Sequence, residues 1–258
     1  MSARAMWKAV IRLGDERVPV KLYAAVQDRR VHFRLLHRSD HAPVRQAMVD
    51  PHSGDVVSRS DALRAAETDD GDVVLLREDE LSDIEPEPSR DIHVLRALPP
   101  AAIDHRWYVR PYYLGPDGSL DRYFALSAAL AGSGRECLAR WVMRKKTYVG
   151  ALRLHAGYPV LVTLRNAEEV VPIEDLETPA GPPLDARELD MARQLVDMLA
   201  DDFDPSQYHD SYRERVEDLI ETKRRGGRVR EAPPPPRRPQ EDLTRALEAS
   251  LKQGRRDA

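Results

Sequence analysis

Between Trp7 and Leu13, apolar Trp7, Ala9, Ile11 and Leu13 alternate with Lys8, Val10 and Arg12, the period of a half-buried strand. Gly14-Asp15-Glu16-Arg17 reads as a turn, and Val18–Tyr23 as a second strand. Pro19 has no N–H to donate, so this strand is expected at a sheet edge or with its proline at a strand end. Val31–Leu36 repeats the alternation, with Val31, Phe33 and Leu35 against His32 and Arg34. Val73–Leu76 is a short apolar strand after the turn Asp69-Asp70-Gly71-Asp72. Ile92–Leu98 and Arg106–Leu114 are further strands, the latter closed by Gly115-Pro116-Asp117-Gly118. Leu120–Ala131 switches to helical spacing, with Leu120, Phe124, Ala128 and Ala131 on one side. Arg135–Tyr148, Val149–His155 and Val160–Leu164 return to strand, and the last two predict a hairpin across Ala156-Gly157-Tyr158-Pro159.

A helical zone follows. Asp185 with Glu188 reads as a capping box, and Leu189, Ala192, Leu195, Val196 and Leu199 form one apolar face behind it. Asp204-Pro205-Ser206 predicts the start of a further helix, in which Tyr208, Tyr212, Val216, Leu219 and Ile220 recur at three and four. Lys223, Arg224 and Arg225 in its last turn, with Gly226 beyond, are stop signals. The chain is thus β-rich with helices after it (α+β): a core over 4–178, a helical arm over 184–230 and a Pro/Arg-rich tail over 231–258. Pro233–Pro236 with Arg237, Arg238 and Pro239 predicts a semi-rigid polyproline spacer. Leu243, Leu247 and Leu251 then step by four in a segment too short for an independent helix.

Composition narrows the function classes. A hydrophobic share of 41% supports a sizeable core, and no run approaches the roughly 18 apolar residues of a membrane span. The opening residues lack the apolar segment of a signal peptide, so a soluble cytoplasmic protein is expected. The single cysteine, Cys137, excludes an internal disulfide and a cysteine-rich zinc site. The net charge is −4, but the residues from Lys223 onward hold 11 cations and 5 acids, leaving −10 on the part before them. An acidic body with a basic end is a charge asymmetry seen with nucleic-acid partners, and local basic grooves are compatible with it.

Catalytic motifs are missing. There is no GxxxxGK[ST] loop, no GxGxxG, no HExxH and no GxSxG elbow. His32, His37, His41 and His52, with Asp50, fit no standard zinc spacing and read as loop residues. The acidic groups Glu78-Asp79-Glu80 and Asp201-Asp202-Asp204 lie at helix ends, where carboxylates cap or stay hydrated. Basic runs remain, some with aromatics: Arg29, Arg30, His32, Arg34, Arg38 and Arg45; Arg140, Arg144, Lys145 and Lys146 beside Trp141 and Tyr148; and Arg106 and Arg110 among Trp107, Tyr108, Tyr112 and Tyr113. Cations outnumber rings, which points to phosphate contacts more than to base stacking. On the residues alone, the wet face of an ordinary sheet stays open as the reading of these runs.

Four motifs in order carry a resemblance. WKAVIRLGDERVPVKLY (Trp7–Tyr23) resembles the opening of the prokaryotic Ku family, and RPYYLGPDG (Arg110–Gly118) its YYL-x-P segment. The run from Ala139 to Val170 is similar to that family's strand and hairpin region, and Glu188–Gly227 to its helical arm. The resemblance implies an antiparallel β-barrel core with a C-terminal helical arm, in an intertwined homodimer that forms a ring around duplex DNA. It implies a protein without catalytic residues, metal or cofactor, which binds double-strand-break ends regardless of sequence and recruits an ATP-dependent DNA ligase D for non-homologous end joining.

Carried over position by position, the segment from about Lys21 to Val74 matches the bridge over DNA. That makes Lys21, Arg30, Arg34, Arg38, Arg45 and Arg59 implied contacts. Arg144, Lys145 and Lys146 match a basic strand segment of the core, and Lys223, Arg224 and Arg225 complete the DNA-binding set. Tyr208, Tyr212 and Leu219 fall in the arm and are implied in dimer or arm packing. Two other classes compete with this reading. One is a metal-dependent end-processing nuclease using Asp69, Asp70 and Asp72; the other is a protein-interaction module with a basic docking tail.

Overall fold

In the computed structural model the described residues are 4–176, 181 and 185–226. They divide into two compact units, one built from residues up to Arg29 together with Arg34–Asp175, the other from Arg30–Phe33 and the residues from Leu176 onward. The polyproline spacer and the leucine steps expected in the tail lie outside the described residues.

In chain order the strands and helices of the first unit are β1 (Trp7–Leu13), β2 (Glu16–Ala24), β3 (Met48–Val49), β4 (Val56–Val57), β5 (Arg64–Glu67), β6 (Val73–Leu76), α1 (Glu78–Asp83), β7 (Asp91–Leu98), β8 (Tyr108–Pro116), α2 (Leu120–Ser133), β9 (Glu136–Met143), β10 (Lys146–His155) and β11 (Tyr158–Leu164). Seven of the strands close a barrel in the order β1-β2-β8-β11-β10-β9-β7. The barrel is mixed, which corrects the expectation of an antiparallel one: β7 runs parallel to β1, pairing Val10 with Asp91, Ile11 with Ile92 and Arg12 with His93. The reason is parity. Strand directions cannot alternate all the way around an odd ring, so seven strands force at least one parallel neighbour. Parallel neighbours cannot be joined by a tight hairpin; β2 makes the return from β1, and the excursion over residues 25–90, which carries the two small hairpins β3-β4 and β5-β6, then leads from β2 to β7 on the other side of β1.

Ile11, Val20, Leu22, Ile92, Leu114, Trp141, Leu152 and Leu161 fill the core at near-zero exposure. Along β1 and β2 the buried positions fall every second residue, as the alternation predicts. Pro19 behaves otherwise than expected, since β2 is paired on both sides. The Val10 N–H donates to the Arg90 carbonyl on the β7 side. Opposite Val10, Pro19 therefore turns its nitrogen toward β8. There the ladder begins only at Val20 with Pro116, and the Pro19 carbonyl accepts from Asp117 N. The missing N–H falls on the terminal rung of the β2–β8 ladder, where no bond is forfeited.

Four other expectations change. Val31–Leu36 forms no strand; among the described residues its ladder pairing is a lone bridge between Leu36 and Pro43, Val31–Phe33 group with the second unit, and Phe33 and Leu35 are exposed. Helix α2 buries Tyr123, Leu126, Ser127 and Leu130 instead of the face through Leu120 and Phe124. It touches β2 and β10, which lie across the barrel from each other, and its buried side chains join the barrel core, so it closes one mouth. The Tyr123 hydroxyl donates to the Leu114 carbonyl at 2.7 Å and fixes that face inward. The expected strand Arg135–Tyr148 is broken by a two-residue turn at Arg144-Lys145, and Tyr158 and Pro159 belong to β11, leaving Ala156-Gly157 as the β10–β11 turn.

In the second unit, α3 (Ala186–Met198) starts at Asp185, whose carboxylate accepts from Arg187 N at 2.7 Å. The next helix begins later than expected. Asp204 caps only the short turn Pro205–Gln207, and Asp210 caps α4 (Ser211–Arg224), accepting from the N–H groups of Tyr212 and Arg213. Gly226 follows at φ 75°, the left-handed stop expected after the basic turn.

Close packing sets a test at Gly150. A Cβ there would lie 2.5 Å from the Val162 carbonyl and 2.7 Å from the Trp141 ring. Neither the β11 backbone nor a fully buried indole can retreat. Gly150→Ala is expected to destabilise the barrel by at least about 3 kcal/mol, measured by denaturant unfolding.

Candidate nucleic-acid interface

The opening strands are studded with cations, and the barrel neutralises them locally. Lys21 Nζ lies 2.9 Å and Lys8 Nζ 3.2 Å from the Asp117 carboxylate, and Arg12 Nε 2.9 Å from Asp91 across the parallel seam. Hydrogen bonds from Lys21 and Lys8 hold the Asp117 carboxyl below the usual carboxylate range, and the same contact raises Lys21 above the ordinary lysine value. The excursion is different. Residues 29–64 hold seven arginines and four acids, whereas residues 65–88 hold ten acids and one arginine. One chain segment thus carries a basic half and an acidic half.

Partner assignments sort the candidate cations. Among the described residues, Arg34, Arg38, Arg45, Arg59, Arg144, Lys146 and Lys223 have no carboxylate within ion-pair distance and no other polar partner. They are open to an external anion. Lys145 is paired with Glu85, and Arg224 and Arg225 both with Glu221. Arg30 belongs with the C-terminal unit and has an interaction of its own. Arg59 lines a groove of about 820 Å³ with Arg64 and Arg77. The last two were not candidates from the sequence. Each is held by carboxylates, Arg64 by Glu78 at 3.2 Å and Arg77 by Asp79 at 3.1 Å and Glu80 at 3.2 Å. Only the fold brings these residues to one groove; no spacing in the chain signals it.

Arg144 and Lys145 form the β9–β10 turn with φ of 52° and 65°. A left-handed backbone costs a non-glycine residue on the order of 1–2 kcal/mol. The sequence signal for this turn was weak, because the Asn-Gly or Asp-Gly pair that marks such hairpins is absent. The aromatics beside these cations belong to the interior: Trp141 is fully buried and stacks on Tyr148 at 5.7 Å. Of the other interleaved pairs, Arg106 is bound by Asp104 at 2.7 Å and Arg110 lies 5.8 Å over Tyr112.

The groups weighed for other chemistry are accounted for locally. His37 Nδ1 sits 2.8 Å from Asp40, and His41 takes φ 56° in the same loop. The Asp69-Asp70-Gly71-Asp72 turn joins β5 to β6, and Thr68 closes it with bonds to Asp72. Among the described residues no three His, Cys, Asp or Glu side chains converge as metal ligands would. Cys137 is buried, and burial raises its thiol pKa, so it lacks thiolate character. Tyr208 and Tyr212 are exposed, Leu219 is half-buried, and Tyr208 stacks on Phe203 at 5.4 Å.

The chain is thus a closed mixed-barrel protein with a long exposed excursion whose first half is basic. The family described as "Ku70/Ku80 beta-barrel domain" matches residues 12–191. The chain is 35% identical over 261 residues to the "Non-homologous end joining protein Ku" of Mycobacterium tuberculosis, covering 96% of this chain and 95% of that one. It is 34% identical over 254 residues to the "Non-homologous end joining protein Ku 2" of Geotalea uraniireducens, covering 98% and 99%. With the protein of the first name in Heliobacterium modesticaldum it shares 33% over 256 residues, covering 98% and 93%. The chain belongs to the Ku family. No helix among the described residues is long and apolar enough to cross a membrane.

One buried acid near the barrel end gives a pH-dependent test. Glu136 is 3% exposed; its Oε2 accepts from the Tyr108 hydroxyl at 2.7 Å, and its Oε1 lies 3.1 Å from Arg153 without a directed hydrogen bond. Burial, then the Glu136 hydrogen bond, pushes the Tyr108 phenol up to about 12 from 10.0. The fold thus favours the neutral phenol. Its contribution is complete below pH about 10 and is lost as pH rises toward 12. Tyr108→Phe is expected to cost about 1–3 kcal/mol at pH 7, since Glu136 stays buried with one donor fewer, and to flatten that alkaline loss. Unfolding followed from pH 7 to 12 reads both effects.

Proposed function

We propose that this chain is a non-catalytic DNA-end-binding protein of non-homologous end joining: two copies intertwine into a ring that threads a broken duplex, and the loaded ring recruits an ATP-dependent DNA ligase D. The observation that carries the reading is the set of arginines on the excursion that have no carboxylate partner among the described residues, Arg34, Arg38, Arg45 and Arg59, in a chain of the Ku family. Residues that neutralise one another hold a barrel together, whereas arginines with no carboxylate partner are left to meet phosphates. Arg144, Lys145, Lys146, Lys21, Arg30 and the Lys223–Arg225 cluster complete the proposed contact set, with the paired members exchanging a carboxylate for phosphate.

Exposed apolar surface supports a second copy. Phe33, Leu35, Val56, Leu63 and Val73 on the excursion are each at least 66% exposed, as are Val196, Leu199 and Tyr208 in the helical unit. Apolar surface of this extent marks an interaction face. Tyr208, Tyr212 and Leu219 are proposed to pack in the arm or between protomers.

A loader that accepts any break must read phosphates, which carry no base identity. Its affinity is then electrostatic. Neutralising about 6–10 phosphates makes binding fall about 10³–10⁵-fold between 50 and 200 mM salt. A mobility-shift series with linear, hairpin-capped and closed circular duplex tests the ring: strong binding to the linear form and weak binding to the circle are expected, and equal affinity for both overturns it. Charge reversal at Arg34 and Arg38 is expected to weaken binding by the same factor on unrelated sequences. A loss that depends on sequence would mean base readout instead.

A further inference from the structure

We propose that the β9–β10 turn is a strained phosphate grip that Glu85 occupies until DNA arrives; the proposal rests on the end-binding reading above and deepens it. The barrel has three two-residue turns. That between β1 and β2 begins with Gly14 at φ 58°, and that between β10 and β11 pairs the small Ala156 at φ 49° with Gly157 at φ 83°. The third holds long cations, Arg144 and Lys145, at both positions, with φ of 52° and 65°. Asn-Gly would serve this backbone with less strain. A turn that keeps strained residues where relaxed ones fit points to a task for their side chains.

The surroundings state the task. Both carboxylate oxygens of Glu85 face the Lys145 ammonium, at 2.8 Å and 3.1 Å, in the way two phosphate oxygens would. Arg144 beside it has no anion among the described residues. Glu85, Pro86, Glu87 and Pro88 line one groove of about 330 Å³ with the turn. The two prolines fix φ along this strap and hold Glu85 in place. Lys145 is 71% exposed and Glu85 33%, so the pair is a weak, solvent-screened one. A duplex phosphate, arriving with counterion release behind it, displaces such a carboxylate. Glu85 then acts as an internal competitor that keeps the grip closed to stray anions.

Four full-length proteins test this: wild type, Arg144→Asn/Lys145→Gly, Glu85→Gln, and the three changes together. The turn variant is expected to unfold about 2–4 °C higher. It should also bind linear duplex several-fold more weakly, with a log–log salt slope shallower by about 0.9 for each phosphate it no longer neutralises. Glu85→Gln is expected to bind about two- to fivefold more tightly, and that gain should vanish in the turn-variant background. An unchanged or lower unfolding temperature for the turn variant overturns the strain; unchanged binding overturns the grip. A Glu85→Gln gain that persists without the turn cations reduces Glu85 to a repulsive charge and overturns the latch. Failure of the wild-type chain to bind linear duplex would overturn the end-binding reading itself, which separates the two.

Discussion

The structure depends on the seam between β1 and β7. Seven strands cannot close with alternating directions, so one pair must run parallel, and this pair carries the closure on three rungs. Ile11 and Ile92 meet there without solvent exposure, and Arg12 reaches across it to Asp91. Parallel neighbours cannot be joined directly by a tight hairpin, which links only antiparallel strands. Here β2 makes the return from β1, and the excursion over residues 25–90 then joins the end of β2 to the start of β7 on the other side of β1. That step does not need so long a connection, and the added length carries Arg34, Arg38, Arg45 and Arg59, which have no carboxylate partner among the described residues.

The same division orders the charges. Several cations of the barrel find carboxylates nearby: Lys8 and Lys21 share Asp117, and Arg153 meets buried Glu136. Exposed pairs such as those at Asp117 contribute little to stability, but they offset the charge of those side chains locally. On the excursion, acids and bases are separated along the chain, so the basic half keeps its field. A net charge of −4 conceals this, since the acidic half outweighs the basic half in the sum, while ion pairing between the two halves is limited, among the described residues, to Arg64 with Glu78.

Much of this was legible in the residues, for identifiable reasons. β1 and β2 announced themselves because burial of one face imposes a two-residue period, and the β10–β11 hairpin because a short apolar run follows a glycine-containing turn. Val31–Leu36 has the same period but forms no strand, and alternation cannot say whether a pairing strand exists. In α2 two apolar faces compete, and the choice between them is made by the Tyr123 hydroxyl reaching Leu114, a contact of tertiary origin. The parallel seam was illegible because direction is a property of the closed ring and of no single strand. Likewise the candidate cations could be named from spacing, but which of them lack a carboxylate partner depends on Asp117, Glu85 and Glu221 arriving from elsewhere along the chain or helix.

The small hairpins of the excursion are too slight to stand alone. Sheets of two strands, such as β3-β4 with two residues a strand and β5-β6 with four, have no third strand and bury almost nothing. Isolated hairpins of this size are marginal in water. Their turns are nonetheless closed by specific bonds, Thr68 to Asp72 and Asp50 to His52 and Gly54. A segment with defined turns, unburied apolar side chains and unpaired arginines has the local chemistry to hold a conformation and lacks the burial to stabilise it alone. The missing stabilisation must come from what it contacts. Exposed apolar side chains favour another protein surface and free arginines favour phosphate; under the proposed function a second protomer and the duplex would supply one each.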